Sequence, residues 1–217
     1  GPEHSSARPE RFLQLCANGN IEVAYLSTAS QVFHRLRQQA LDGRRRPLIA
    51  FTPKRMLQKP AAASTLENFH NGAFLPVIPD RAAIGLERVL LCSGQLADDL
   101  IAERTRRDAR AAVVRLERLY PFPRDELCDA ISCYPRGASV VWVQEEPENM
   151  GAWRWLQPQL QAALGGNPID FVARPERASP ATGSLAIHRR EQDMIFDRAF
   201  GAQTRTTISR PATDGTR

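Results

Sequence analysis

The feature that most constrains the fold is an alternation of short apolar runs with stretches of helical periodicity, which becomes regular from residue 87 onward. The apolar runs span 88–93, 111–116, 140–144 and 169–173, and each has the length of a strand. Helices are predicted between and after them, at 95–107, 124–134, 152–164 and 185–200. Strands that are almost continuously apolar are typical of parallel sheets covered on both faces. The alternation therefore predicts an α/β fold built on a parallel sheet.

The first 52 residues show the same alternation on a smaller scale. A helix is predicted at 8–18, a short strand at 21–26, a second helix from Ser27 or Thr28, and a buried strand at 48–51. Four apolar residues of the second helix have helical spacing, and we expect them to face the core: Val32, Phe33, Leu36 and Leu41.

Two further segments lack this regularity. Residues 53–86 contain four prolines and two glycines, which predicts a connection lying on the surface, with short helices near Arg55 and Thr65. Residues 201–217 are polar, carry a single isoleucine and show no periodicity. We expect this tail to be disordered.

The charge pattern argues against nucleic acid as a partner. All 29 basic residues except Lys54 and Lys59 are arginines, and 24 acidic residues leave a net charge of +5. The arginines are interleaved with acids and cluster only at 44–46 and 104–107, which is typical of solvated helix ends. No apolar run approaches the roughly 20 residues that a membrane helix requires. We therefore expect neither a nucleic-acid nor a membrane partner.

The four cysteines, at positions 16, 92, 128 and 133, do not form a metal-binding pattern. There is no Cys-x-x-Cys pair and no histidine at zinc-ligand spacing. We expect buried, reduced thiols, which suit a reducing compartment. The sequence also lacks a glycine-rich phosphate loop, so we predict no metal-binding or cofactor-binding residues in this chain.

Two segments carry side chains suited to chemistry, and each has a structural alternative. His4 lies in a Gly/Pro/Ser-rich stretch before a helix, where an imidazole can transfer protons or bind an anion. An exposed surface histidine explains the same pattern. Glu145, Glu146 and Glu148 follow a predicted strand, where open α/β sheets bind ligands. A solvated acidic loop explains them as well.

Taken together and in order, several segments closely resemble the E1 component of 2-oxoglutarate dehydrogenases. These segments are 1–8 (GPEHSSAR), 10–16 (ERFLQLC), 46–49 with 51–54 (RPLI, FTPK), 91–94 (LCSG), 114–117 with 119–123 (VRLE, LYPFP), 143–153 (VQEEPENMGAW) and 178–184 (ASPATGS).

The resemblance implies a transketolase-like architecture. It places the end of a pyrimidine-binding α/β domain at 1–52, a connecting segment at 53–84 and a parallel-sheet transketolase C-terminal-like domain at 85–200, followed by the tail at 201–217. The chain would be the C-terminal portion of an enzyme of the tricarboxylic acid cycle that uses thiamine diphosphate and Mg²⁺. The residues that bind both groups would lie outside this chain.

The resemblance also implies partners and a location. The substrate would be 2-oxoglutarate, and the succinyl group would pass to the lipoyl group of an E2 succinyltransferase. A homodimer is expected, in the bacterial cytoplasm or the mitochondrial matrix and not secreted.

Among the catalytic residues of this family, the resemblance carries over only His4, as a hydrogen-bond donor or proton-transfer group that faces the substrate or its thiamine adduct. The acidic segment 145–151 is expected to be structural or to face another subunit. The isolated fragment is predicted to be inactive. The alternative hypothesis is a non-catalytic assembly or regulatory module derived from this enzyme.

Overall fold

The computed structural model describes residues 7–54, 63–81, 86–135 and 137–201. Within them the helices are Pro9–Gln14 (α1), Ala29–Leu41 (α2), Leu66–His70 (α3), Leu96–Arg107 (α4), Arg124–Ser132 (α5), Trp153–Ala163 (α6) and Leu185–Phe200 (α7). The strands are Glu22–Tyr25 (β1), Leu48–Phe51 (β2), Val77–Ile78 (β3), Arg88–Cys92 (β4), Ala111–Leu116 (β5), Arg118–Tyr120 (β6), Ser139–Pro147 (β7) and Asp170–Arg174 (β8). The helix predicted near Arg55 and the tail from residue 202 lie outside the described residues.

The strands form two sheets. The larger has the order β3-β5-β4-β7-β8, and the smaller has the order β2-β1-β6. The pairs β4–β5, β4–β7, β7–β8 and β1–β2 are parallel, which confirms the predicted α/β architecture. Each sheet also has one antiparallel edge strand, β3 or β6. These two edge strands were not predicted, because strands of two or three residues are too short to show a pattern in the sequence.

Apolar side chains cover both faces of the larger sheet, as the sequence predicted. On one face Leu91, Val114 and Trp142 belong to a core that includes Leu127 of α5 and Leu156 of α6. On the other face a second core contains Leu90, Val113 and Val141, together with Leu100 of α4 and Ile195 of α7. Successive strand residues point to opposite faces, so an almost continuous apolar strand supplies both cores.

Helix α2 contradicts its predicted orientation. Phe33, Leu36 and Leu41 are exposed. The buried positions of the helix are polar: Gln31, His34 and Arg35. Each of these side chains has a partner elsewhere in the molecule. Arg35 pairs with Glu22 at 2.6 Å, and His34 Nε2 lies 2.7 Å from the carbonyl oxygen of Asn68. Gln31 Oε1 accepts a hydrogen bond from the Leu75 amide. Polar contacts therefore hold α2 in place.

Three smaller expectations also change. Strand β7 runs on to Pro147, so Glu145 and Glu146 belong to the strand and not to a loop. In β2 only Phe51 is buried. All four cysteines are free, but only Cys92 is buried, and Cys133 is exposed. Among the described helices, none is both long and apolar enough to span a membrane.

Candidate functional site

His4 lies outside the described residues, but the chain that follows it is placed by two contacts. The Arg8 guanidinium donates to the carbonyl oxygen of Ala178 at 3.5 Å. The Glu10 carboxylate accepts from the Gly151 amide at 2.9 Å. Four segments that carry the resemblance are therefore joined here: Arg8 of 1–8 contacts the start of 178–184, and Glu10 of 10–16 contacts 143–153 near its end.

That place is beside the point where the order of the larger sheet reverses. The chain runs from β4 outward to β5 and then returns to the other side of β4 to form β7. In open α/β sheets, ligands bind in the crevice beyond the carboxyl ends of the strands at such a reversal. In this chain the residues at the crevice are Ser93 and Gly94 after β4, and Gln144, Glu145 and Glu146 in β7.

The crevice is narrowed by the N-terminal part of the chain. Pro9 of α1 and Tyr25 of β1 line the small pocket that remains, opposite Ser93 and Glu146. Gly94 has a φ of +64°, and a Cβ there would meet the Tyr25 ring. Glycine therefore serves two purposes, since it tolerates the left-handed conformation and lets the ring approach the backbone.

Gln144 organises the segment that follows it. Its side-chain oxygen accepts from the Trp142 indole at 3.0 Å and from the Trp153 amide at 3.3 Å. Its side-chain nitrogen donates to the carbonyl oxygens of Met150 at 2.8 Å and Pro147 at 3.2 Å. One buried amide thus fixes the path of residues 145–151, which agrees with a packing role for this segment.

Ionisable groups beside the crevice have altered acidity. Burial raises the pKa of Glu146 to about 7, and the neighbouring Glu145 charge contributes in the same direction. Glu145 itself accepts from the Gln95 side chain at 2.9 Å. Burial also raises the pKa of Tyr25 well above its ordinary value, helped by Glu146 and Glu145. At this crevice, burial keeps carboxyl and phenol groups protonated to higher pH than in water.

A second buried carboxyl lies where the two sheets meet. Glu117 connects β5 to β6 and is 0% exposed. Its two carboxylate oxygens accept from the amide and the hydroxyl of Ser27, the amide at 2.8 Å. Burial raises the pKa of Glu117 to about 7, although the Ser27 hydrogen bonds and the Arg115 charge oppose the rise.

The arrangement can bind and release protons near neutral pH, at Glu117 and Glu146. It offers no activated thiol, because burial raises the pKa of Cys92 to about 12. In the part of the chain that the structure describes, no three His, Cys, Asp or Glu side chains lie together as metal ligands. The described residues therefore do not fit a Mg²⁺ site.

The sequence singled out the acidic segment at the end of β7 but missed Glu117, Ser27 and Tyr25. A signal for Glu117 was available, because this acid lies with Arg118 between Leu116 and Leu119, at the junction of two apolar runs. A charged residue between apolar strand residues indicates either the exposed edge of a sheet or a buried side chain with a hydrogen-bond partner. No local pattern names its partner, Ser27, which lies 90 positions earlier.

Comparison with known families divides the chain into two matched parts. Residues 63–200 match the 2-oxoglutarate dehydrogenase C-terminal family, and residues 1–60 match the transketolase pyrimidine-binding domain. Curated relatives named "2-oxoglutarate dehydrogenase E1 component" include those of Geobacillus kaustophilus (47% identical), Geobacillus sp. WCH70 (45%) and Cupriavidus necator (42%). The alignments cover 90–92% of this chain but 22% of each relative, so the chain spans about a fifth of their length.

Proposed function

Because the chain belongs to the 2-oxoglutarate dehydrogenase C-terminal family, we propose that it is the C-terminal part of an E1 component. The complete protein would decarboxylate 2-oxoglutarate and transfer the succinyl group to the lipoyl group of an E2 partner. The observation that carries this proposal is the identity of 42–47% to relatives named as E1 components, over at least 90% of the chain.

The proposal also assigns a domain to each part of the chain. Residues 1–52 would complete a pyrimidine-binding domain, 53–84 would connect, and 85–200 would form the transketolase-type C-terminal domain. The two matched families, which meet near residue 60, support this division. Strand β6 qualifies it, because this strand lies in the C-terminal range but pairs with β1 of the N-terminal range.

Thiamine diphosphate dependence is part of the proposal, and the pyrimidine-binding match supports it. When bound, thiamine diphosphate supplies a carbanion for attack on a 2-oxo acid. As the family resemblance implies, we place the diphosphate and metal ligands in the part of the relatives' length that this chain does not span.

The contribution of this chain to the chemistry would come from His4. The segment after His4 is attached through Glu10 to Gly151, in the turn after β7, and through Arg8 to the 178–184 segment. We assign His4 the role of hydrogen-bond donor or proton-transfer group toward the bound 2-oxo acid. The attachments downstream would restrict where the histidine can reach.

The test uses the full-length protein that contains this chain and measures 2-oxoglutarate-dependent succinylation of a lipoyl domain. His4→Ala should lower turnover about 100-fold, the order expected for loss of a proton-transfer group. The matched control is His70→Ala, at an exposed position of α3, which should leave turnover unchanged.

The two parts of the proposal fail separately. Absence of succinylation by the unaltered protein would reject the E1 assignment and favour a non-catalytic module. Normal turnover in the His4→Ala protein would reject the role of the histidine and leave the E1 assignment standing.

A further inference from the structure

Three adjacent residues at the start of α1 restrict the direction in which the N-terminal segment leaves the helix. Arg8 precedes a proline, which disfavours a helical backbone, and it has a φ of −126° and a ψ of 73°. Pro9 is buried and lines the crevice. Glu10 accepts a hydrogen bond from the Gly151 amide at 2.9 Å. Backbone conformation, packing and a hydrogen bond therefore act on neighbouring positions.

Glu10 is the centre of a bridge between two segments of the C-terminal range. One oxygen of its carboxylate accepts from the Gly151 amide, and the other lies 3.6 Å from a guanidinium nitrogen of Arg8. The second terminal nitrogen of Arg8 donates to the Ala178 carbonyl oxygen at 3.5 Å. The bridge therefore joins the turn after β7 to the segment 178–184 through the start of α1.

The Gly151 amide is a rigid partner for this bridge. The Gln144 side chain donates to the Met150 carbonyl oxygen at 2.8 Å and accepts from the Trp153 amide at 3.3 Å. The Met150 carbonyl and the Gly151 N–H belong to one planar peptide unit, so a hydrogen bond to the carbonyl also fixes the direction of the N–H. Glu10 must therefore adjust to the Gly151 amide, and not the reverse.

The bridge is not what holds α1 on the molecule. Leu13 is 1% exposed in the apolar core, and the Phe12 ring packs against the Phe51 ring with 5.7 Å between their centroids. The side chains of Arg8 and Glu10 are 27% and 25% exposed, and an ion pair this open to water contributes little to folding. The bridge therefore orients the first turn of α1 more than it stabilises the fold.

The short length of chain between α1 and His4 makes the position of His4 depend on this orientation. His4 lies three residues before Ala7, the first residue that the structure describes. Three residues span about 11 Å at most, which limits how far His4 can lie from the start of α1. A proton-transfer group must come within about 3 Å of its substrate atom, and a displacement of about 1 Å can lower a rate severely.

We propose that Glu10 is a positioning residue for His4, because its bond to the Gly151 amide sets the direction in which the chain leaves α1 toward the histidine. The proposal rests on the proposed E1 function. Glu10 acts through His4 and does not contact the substrate. Its contribution should therefore appear in kcat and not in KM for 2-oxoglutarate, and only while the histidine is present.

The test compares the unaltered full-length protein that contains this chain with Glu10→Ala, His4→Ala and the double variant, in succinylation of a lipoyl domain. Glu10→Ala should lower kcat about tenfold and leave KM for 2-oxoglutarate unchanged. In the His4→Ala background it should cause no further loss, because the two residues act as a unit. Glu10→Gln should keep most of the activity, since its side-chain oxygen can still accept from the Gly151 amide.

Glu87→Ala is the matched control. Glu87 is also paired with an arginine, Arg110, at 3.0 Å, but it precedes β4 and so lies at the opposite end of that strand from the crevice. Its removal should leave kcat unchanged. Should Glu10→Ala fail to fold, Glu10→Asp takes its place, because the shorter side chain withdraws the carboxylate from the Gly151 amide.

Unchanged kcat in Glu10→Ala would overturn the proposal. Losses that multiply in the double variant would also overturn it, since Glu10 would then act independently of His4. An equal loss in Glu10→Gln would do the same, because the hydrogen bond to Gly151 would not be the cause. Full activity of His4→Ala would reject both histidine roles and leave the E1 assignment standing. Absence of succinylation by the unaltered protein would reject the E1 assignment and this proposal with it.

Discussion

Among single residues, Gly151 shows most directly how the segment after β7 depends on the absence of a side chain. Its φ is +78°, and a Cβ there would lie 2.6 Å from the side-chain nitrogen of Gln144. Gln144 cannot move away easily, because its amide group bonds to Trp142, Trp153, Met150 and Pro147.

Gly151→Ala should therefore lower the free energy of unfolding by about 2 kcal/mol or more. Part of this loss comes from the left-handed backbone conformation, and the rest from displacement of the Gln144 side-chain amide. Urea unfolding measures the change. Gly43→Ala is the matched control, because no atom lies within 4 Å of the added methyl group, and its effect should be within about 0.5 kcal/mol. Equal effects of the two variants would contradict the strain argument.

The contacts made at the sheet junction could not be predicted from local pattern. Apolar runs correctly indicated β4, β5 and β7, because a strand buried on both faces has apolar side chains at successive positions. The pairing of Glu117 with Ser27 depends on a contact between residues 90 positions apart. Packing of the Tyr25 ring against Gly94 is likewise a tertiary property, since both residues are ordinary in their own segments.

At the scale of elements, α2 is the helix whose orientation the pattern predicted wrongly. Periodicity identified the apolar stripe but not the face that the rest of the molecule covers. The covered face is held by Arg35, which is 1% exposed, pairs with Glu22, and lies over the Phe74 ring at 5.5 Å. Because the helix contributes its polar side to the interior, its attachment depends on satisfied hydrogen bonds.

Arg35→Ala should lower the free energy of unfolding by about 3 kcal/mol, since it leaves the Glu22 carboxylate with its partner removed in a largely buried site. Arg37→Ala, on the exposed side of the same helix, should change it by less than about 0.5 kcal/mol. In the Arg35→Ala background, Glu22→Gln should recover part of the loss, as a double-mutant cycle in urea would show. Additive effects would mean that the pair is not coupled.

Elements also differ in how well their ends were predicted. Helices α4 and α7 match their predicted spans, and α4 ends in the basic residues that favour a helix C-terminus. β7 runs past its predicted end because Glu145 and Glu146 continue the extended backbone despite their charge. Polar residues at the carboxyl end of a strand resemble a loop in sequence, and only their tertiary contacts reveal the difference.

At the scale of the whole molecule, buried acids set how stability depends on pH. Glu117 and Glu146, each with a pKa raised to about 7, bind protons in the folded state at pH values where unfolded glutamates, with a pKa of 4.5, have released them. Stability should then be greater near pH 5 and decrease as pH rises toward 7. Glu103 acts in the opposite direction at lower pH, because Arg106 and Arg107 lower its pKa to about 2.

The free energy of unfolding should fall by roughly 2–3 kcal/mol for each pH unit between 5 and 7, with up to about 1.4 kcal/mol from each of the two carboxyls, and change little from 7 to 8. Urea titrations at a series of pH values measure the slope. Glu117→Gln should reduce it, and combination with Glu146→Gln should nearly remove it. A rise in stability from pH 5 to 7 would contradict the assignment of these two groups.

The strand pair β1–β6 joins Val23 to Tyr120, so the smaller sheet is completed by a segment made almost a hundred residues later. A ribosome adding about 5–20 residues per second would release β1 roughly 5 to 20 seconds before β6 exists. During that interval one side of β1 has unpaired backbone groups, the kind of edge to which other chains can add. During synthesis the smaller sheet therefore stays incomplete until β6, in the later part of the chain, has been made.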